Sequence, residues 1–183
     1  IIEEKKQALV LLPEIFLTND FKSRFEDFFG FEPAIWHSKI TPKQKRLIWK
    51  GIINNEIKIL VGARSALLLP FKKLGIIIVD EEHEISYKQE DNPRYHARDV
   101  AVVRAKTEEA LCLLGSATPS LESMNNVQKG KYEISKLTLR VDNRELPLVH
   151  LVDMRREAEK IKTLPILSQP LIEALRERCV NRE

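Results

Sequence analysis

Asp80-Glu81-Glu82-His83 follows the apolar run Ile76-Ile77-Ile78-Val79 with no turn residue between them. Three adjacent carboxylates repel one another unless a cation or solvent offsets their charge. A strand ending in such a cluster suits a magnesium–nucleotide complex. An aspartate at the strand end holds Mg²⁺ directly or through water, and a neighbouring glutamate orients and deprotonates a water attacking a γ-phosphate. A plainer reading also fits: the acids cap a helix after the strand, where negative charge suits the N-terminal dipole. The H-E-x-x-H zinc pattern is excluded by spacing, because His83-Glu84-Ile85-Ser86 is followed by Tyr87.

A second apolar run, "ALCLLG" (110–115), leads into Ser116-Ala117-Thr118-Pro119. Small residues let backbones approach closely, and Ser116 and Thr118 offer hydroxyls to the acidic cluster. Gly62-Ala63-Arg64-Ser65 follows "IKILV" (57–61). Arg64 fits a phosphate contact or a structural ion pair, and Ser65 and nearby amides fit a phosphate. Pro13, Glu14 and Thr18 form another candidate loop, with Thr18 equally suited to capping the helix that follows. "SYKQEDNPRYHARD" (86–99) mixes Tyr87, Tyr95 and His96 with Lys88, Arg94 and Arg98. That composition serves base stacking and phosphate neutralisation, or else describes a surface loop with two half-buried tyrosines. His37, Trp36 and Trp49 read as packing residues.

These residues need a scaffold that brings strand ends together. The apolar runs 8–12, 34–38, 57–61, 75–79 and 110–115 are continuous rather than alternating, as in parallel strands covered on both faces. Helical spacing fills the intervals: Phe21, Phe25 and Phe28; Leu47, Ile48, Ile52 and Ile53 behind the capping box Thr41-Pro42-Lys43-Gln44; and Ala97, Val100, Ala101 and Ala105. Thr118-Pro119 reads as the cap and first turn of another helix. The class is α/β with a mostly parallel sheet, whose ligands bind at the carboxyl ends of the strands. After about Gly130 the texture changes. Segments 131–137 and 146–154 read as strands, 155–163 as a polar loop or short helix, and 168–180 as a helix with Leu171, Ile172, Leu175 and Cys179 on one face. A boundary falls near 140–147, giving domains 1–140 and 141–183.

The 183 residues carry a net charge of +3, compatible with nucleic acid. No apolar run approaches the roughly 20 residues of a membrane span. Cys112 and Cys179 show no C-x-x-C spacing, which argues against a zinc site or disulfide framework and favours a reducing cytoplasm. The chain starts at Ile1 without a signal-peptide layout, and both ends read as interior points of a longer protein.

Taken together, Asp80-Glu81-Glu82-His83 and Ser116-Ala117-Thr118 resemble motifs II and III of superfamily 2 helicases. The resemblance is closest to the PriA (primosomal protein N′) family of bacterial replication-restart DNA helicases. It is carried by "ALVLLPEIFLT" (8–18), "VGARSALLLPFKKLGIIIVDEEHEISYKQ" (61–89), "RYHARDVAVVRA" (94–105) and "LGSATPSLES" (114–123), and extends from about Lys6 to Asp153. It implies part of a RecA-like P-loop NTPase fold, with ATP and Mg²⁺ as cofactors. Asp80 is then the Mg²⁺ ligand, Glu81 the general base and His83 the link to motif III. Ser116 and Thr118 lie by the nucleotide. Whether Glu82 has a role is left open, a merely solvated charge being one reading. Pro13, Glu14, Thr18, Arg64, Ser65, Tyr87, Lys88, Arg94, Tyr95, His96 and Arg98 face DNA, and the loop 86–99 senses it. In that family the loop at 63–65 reads T-R-S, and Ala63 here removes one hydroxyl. Implied partners are single-stranded and forked DNA, primosome proteins and single-stranded-DNA-binding protein, in a bacterial cytoplasm. The family's zinc-binding cysteines lie outside these residues.

No G-x-x-x-x-G-K-[ST] occurs in the 183 residues, so the phosphate cradle is missing. By resemblance it precedes Ile1, and motifs IV to VI follow Glu183. The expectation is the back half of one motor domain plus the first elements of a second, with negligible hydrolysis in isolation. A gap in the sheet beside 75–79 or its neighbours is also expected, closed by a rearranged sheet using strands from 131–153, by a displaced segment or by a second chain in a dimer. A different class remains open: a non-catalytic DNA- or protein-binding module retaining a motor-like fold.

Overall fold

The computed structural model describes residues 5–13, 18–137, 148–161 and 165–181. The chain forms two compact units, Ile1–Ile134 and Ser135–Glu183. In chain order the described strands are β1 (Gln7–Leu11), β2 (Ala34–Trp36), β3 (Ile59–Gly62), β4 (Leu74–Val79), β5 (Lys88–Gln89), β6 (Tyr95–His96) and β7 (Leu111–Leu114). The helices are α1 (Asn19–Phe29), α2 (Pro42–Ile53), α3 (Ala97–Thr107), α4 (Leu121–Gln128), α5 (Met154–Ile161) and α6 (Gln169–Asn181).

All five expected parallel strands form one sheet, in the order β2-β3-β1-β4-β7. Register pairs Leu9 with Leu60 and Ile77, and Ile78 with Leu113, every neighbouring pair being parallel. Side chains alternate across β1. Leu9 and Leu11 join Leu60, Ile77 and Val79 on a face covered by Leu67, Leu69, Phe71, Tyr87 and the alanines of α3. Ala8, Val10 and Leu12 join Ile59 and Val61 on the opposite face, beside Phe21 and Phe25 of α1. Burying one such aliphatic side chain contributes roughly 1.5–3 kcal/mol. Ala97, Ala101 and Ala105, all buried, let α3 lie close to the sheet.

Local chemistry sets the helix ends. The Thr41 hydroxyl accepts the Gln44 N–H and the Gln44 side chain reaches back to the Thr41 N–H, with Pro42 in the first turn. The Thr18 hydroxyl accepts the Phe21 N–H and starts α1, and Gly30, at φ +75°, ends it. The cap of α4 is Ser120 rather than the expected Thr118. On α2, Ile52 is buried while Leu47 and Ile53 face solvent, so the expected apolar face is only half covered.

The sequence offered no hint of what holds the amino-terminal end of the sheet. Gln7 is fully buried. Its amide NH₂ donates to the carbonyls of Ile52 (3.1 Å) and Ile57 (2.8 Å), and its oxygen accepts the N–H groups of Lys72 (2.9 Å) and Lys73 (3.1 Å). Each capacity of that side chain is filled, so its burial carries little penalty.

Two expectations are overturned. β4 is paired on both sides, by β1 and β7, so no gap opens beside 75–79. The described residues of 131–137 and 148–153 form no strand. Lys131 and Tyr132 instead donate their N–H groups back to the Asn126 carbonyl of α4. The sheet ends at β2 on one side and at β7, where Leu111 and Leu113 are exposed, on the other. The polar segment 155–163 does contain a helix, α5. The boundary expected near 140–147 lies outside the described residues. Within the second unit, Glu157 is buried and accepts the Gln169 N–H at the start of α6 (3.1 Å). Leu171 and Leu175 of α6 are exposed rather than buried.

Candidate functional site

Backbone bonds beyond the regular strands stitch the acid turn to its neighbours. Asp80 N–H donates to Leu11 O (3.0 Å), Gly115 N–H to Val79 O (2.8 Å) and Glu82 N–H to Gly115 O (2.9 Å). The carboxyl ends of β1, β4 and β7 are thereby locked side by side. One Asp80 carboxylate oxygen accepts the Glu81 N–H (3.0 Å). Glu81 stands at φ +47°, in the left-handed region that a β-carbon disfavours. Strain of this kind costs about 1–3 kcal/mol and persists where its surroundings hold it.

His83 and Ser116 join the two expected motifs directly. The His83 Nδ1 lies 2.7 Å from the Ser116 Oγ and 3.5 Å from a Glu81 carboxylate oxygen. The Ser116 Oγ also accepts the Thr118 N–H (3.0 Å), leaving its own proton for an Nδ1 acceptor. Thr118 is exposed beside this contact. Gly115 leaves the Asp80 carboxylate room, since a β-carbon on it would stand 3.3 Å from one carboxylate oxygen.

Glu82 faces the other way, at 1% exposure. One carboxylate oxygen accepts the Ser120 N–H (2.7 Å); the other accepts the Ser120 hydroxyl (2.9 Å), the Ser123 hydroxyl (3.0 Å) and the Arg98 guanidinium (3.2 Å). Burial alone would raise its pKa, but those bonds outweigh burial and hold the carboxyl below its ordinary value. Of the readings open for Glu82, the solvated charge is therefore excluded.

The loop after the acid turn is an antiparallel ribbon, pairing Lys88 with His96 and Gln89 with Tyr95. Lys88, Gln89, Glu90, Arg94, Tyr95 and His96 line a groove of about 500 Å³ on it. Lys88 pairs with Glu90 (3.2 Å), and Arg94 donates to the Glu90 carbonyl (3.1 Å). Burial and the nearby Arg98 charge push His96 below its ordinary value, and its Nδ1 is buried without a hydrogen-bond partner.

Some residues expected to face DNA are buried or bonded into the fold instead. Tyr87 is buried in the core, its hydroxyl 2.7 Å from Asp80 O and 3.0 Å from Leu11 O. Arg98 turns inward onto Glu82 and Ser120, with Asp99 on its outer side. Both were read as surface residues because aromatic and cationic types look alike from sequence whether they point in or out. Pro13 is buried at the end of β1, and Thr18 caps α1. Arg64 donates to the carbonyls of Ser86 (3.2 Å) and Lys88 (2.7 Å), bracing the ribbon's entry, and Ser65 accepts the Trp36 indole N–H (3.2 Å). Glu14 lies outside the described residues.

The sequence profile of the DEAD/DEAH box helicase family matches residues 1–127. The chain belongs to that helicase family. It is similar to the replication restart protein PriA of Rickettsia felis, 46% identical over 178 residues, and to PriA of Bacillus subtilis, 45% identical over 183 residues. This helicase-family chain spans only about a quarter of those relatives, 27% and 23% of their lengths. Its fold is similar to the C-terminal domain of Saccharomyces cerevisiae Dbp5, solved bound to Gle1 and IP6. The TM-score is 0.51 at 11% identity, covering 72% of this chain and 74% of that domain. In the helicase family member described here, the residue that sequence reading missed is Glu82. Its only signal was an arginine and two serines scattered over the next 41 positions.

Proposed function

We propose that the chain is part of the motor of a replication restart DNA helicase that couples Mg²⁺–ATP hydrolysis to translocation on DNA. One observation carries this reading most: the 2.7 Å contact between His83 and Ser116, which ties the acid turn after β4 to the small-residue turn after β7. Asp80 is exposed, Gly115 leaves it room, and one backbone N–H is bonded to its carboxylate. Such a carboxylate fits Mg²⁺ arriving with nucleotide phosphates, since Mg²⁺ usually takes one or two protein carboxylates and keeps the rest of its shell as phosphate and water. Among the described residues no three His, Cys, Asp or Glu gather into a metal site. When bound, the ion neutralises charge developing on the phosphates.

Glu81, held in its strained conformation, orients the attacking water and takes its proton. His83 and Ser116 keep that glutamate in register with the neighbouring strand, and Thr118 lies close by. The groove on the β5–β6 ribbon offers Lys88, Arg94, Tyr95 and His96 to single-stranded DNA, cations for phosphates and rings for bases. Arg64 shapes that groove more than it contacts DNA. Residues 1–140 form the ATP-side domain and 141–183 open the next one. The working site is bacterial cytoplasm, with forked DNA, primosome proteins and single-stranded-DNA-binding protein as partners of the longer protein. In isolation the chain hydrolyses ATP negligibly, and its free β7 edge pairs two copies.

Phosphate release with and without single-stranded DNA tests this reading. DNA-stimulated hydrolysis is expected from the full-length protein and none from the 183-residue chain. A full-length protein with no DNA-stimulated hydrolysis contradicts the function, and a turning-over chain contradicts the division of labour. A sizing experiment that finds only monomer removes the pairing of copies.

A further inference from the structure

The β5–β6 ribbon is rooted on the acid turn at both ends. At its entry, the Tyr87 hydroxyl reaches the Asp80 carbonyl (2.7 Å). At its exit, directly after β6, Arg98 reaches the Glu82 carboxylate (3.2 Å). The same carboxylate takes the first turn of α4 through Ser120 and Ser123, and only three residues separate Ser120 from Ser116, the partner of His83. Glu82 therefore sits between the ribbon and the His83–Ser116 contact, with its main chain on Gly115 and its side chain on Arg98 and α4.

We propose that Glu82 and Arg98 are positioning residues that carry DNA occupancy of the ribbon groove to the His83–Ser116 contact. The proposal rests on reading this chain as part of a DNA-stimulated ATPase. Two features favour a switching role over a static one. A buried ion pair is a poor device for stability alone, because a well-packed apolar pair avoids its desolvation. Arg98 also has carboxylates on its outer side, Asp99 at 2.9 Å and Glu122 at 3.8 Å, both largely exposed. The guanidinium thus has an inner partner on the acid turn, Glu82, and outer partners on α3 and α4 that do not touch that turn. A ligand that pulls β6 biases the choice between them, the differential contact that coupling requires.

The experiment uses full-length protein, an oligothymidylate and steady-state ATP hydrolysis. Glu82→Gln and Arg98→Gln are each expected to lower the DNA-saturated kcat about tenfold, within the usual range of coupling between sites. The KM for ATP and the half-saturating DNA concentration are expected to stay within about twofold, a split that loss of structure alone does not produce. The double variant is expected to be no worse than either single one, because both remove the same link. Ser123→Ala, which removes one hydroxyl from the carboxylate and leaves the ion pair, is expected to give the same split with a drop of about threefold, and serves if Glu82→Gln does not fold. Variants that melt earlier but keep full DNA stimulation would overturn the link, as would additive losses. A wild-type protein without DNA stimulation would instead overturn the underlying function, and the link with it.

Discussion

Asp80 and Glu82 lie two residues apart on one turn and carry the same charge in opposite surroundings. Asp80 is exposed, with a backbone N–H bonded to its carboxylate. Glu82 is sealed beneath α3 and α4, with an amide, two hydroxyls and a guanidinium on its two oxygens. The left-handed backbone at Glu81 makes the division possible, because it reverses the chain between them. A run of like charges is thus sorted into an outward half left open for chemistry and an inward half fastened to structure. Clustered acids need not share a ligand, and identical residue types can divide two tasks.

The largest expected effect breaks the inward half. Glu82→Ala leaves Arg98 buried against vacated space and is expected to destabilise the chain by about 3–5 kcal/mol in urea unfolding. Asp80→Asn, on the outward half, is expected to shift stability by less than about 0.5 kcal/mol. Equal losses would erase the distinction.

Two strand-end glycines sharpen it. A β-carbon at Gly62 would stand 2.6 Å from the Trp36 carbonyl and 2.8 Å from Ala66, so Gly62→Ala is expected to cost about 1–3 kcal/mol by overpacking. At Gly115 the nearest atom is the Asp80 carboxylate oxygen at 3.3 Å, the tip of an exposed side chain. Gly115→Ala is therefore expected to cost less than about 1 kcal/mol while lowering ATP turnover of the full-length protein. Thermal melts and phosphate release separate the two outcomes.

The smallest effect concerns pH. The folded pKa of Glu82 lies below the ordinary 4.5, so its contribution is complete above that value and is lost as pH falls through the folded pKa. Stability followed from neutral pH to below about 4.5 is expected to fall more steeply for wild type than for Glu82→Gln. Parallel curves would mean that the carboxylate is not held in its charged form.

The parallel sheet was legible because both its faces are covered, which leaves continuous apolar runs in the sequence. The caps at Thr41 and Thr18 were legible because capping is local chemistry within three residues. Tyr87 and Arg98 were misread, and Glu82 left open, for a common reason: their partners lie on other elements, and nothing in a local window says whether a tyrosine or a charge points inward. Gln7 escaped notice for the same reason, since its four bonds run to chain segments 45 to 66 positions away. The strands expected at 131–137 and 148–153 failed because an apolar run becomes a strand only where a neighbour takes its backbone bonds.

The central claim is that the outward half of the turn performs hydrolysis, and one substitution addresses it directly. In the full-length protein, nucleotide affinity and DNA-stimulated phosphate release are compared between wild type and Glu81→Gln. Affinity is expected to stay within about threefold and turnover to fall by about 10²–10⁴, the usual loss on removing a general base. Turnover that survives the substitution would contradict it.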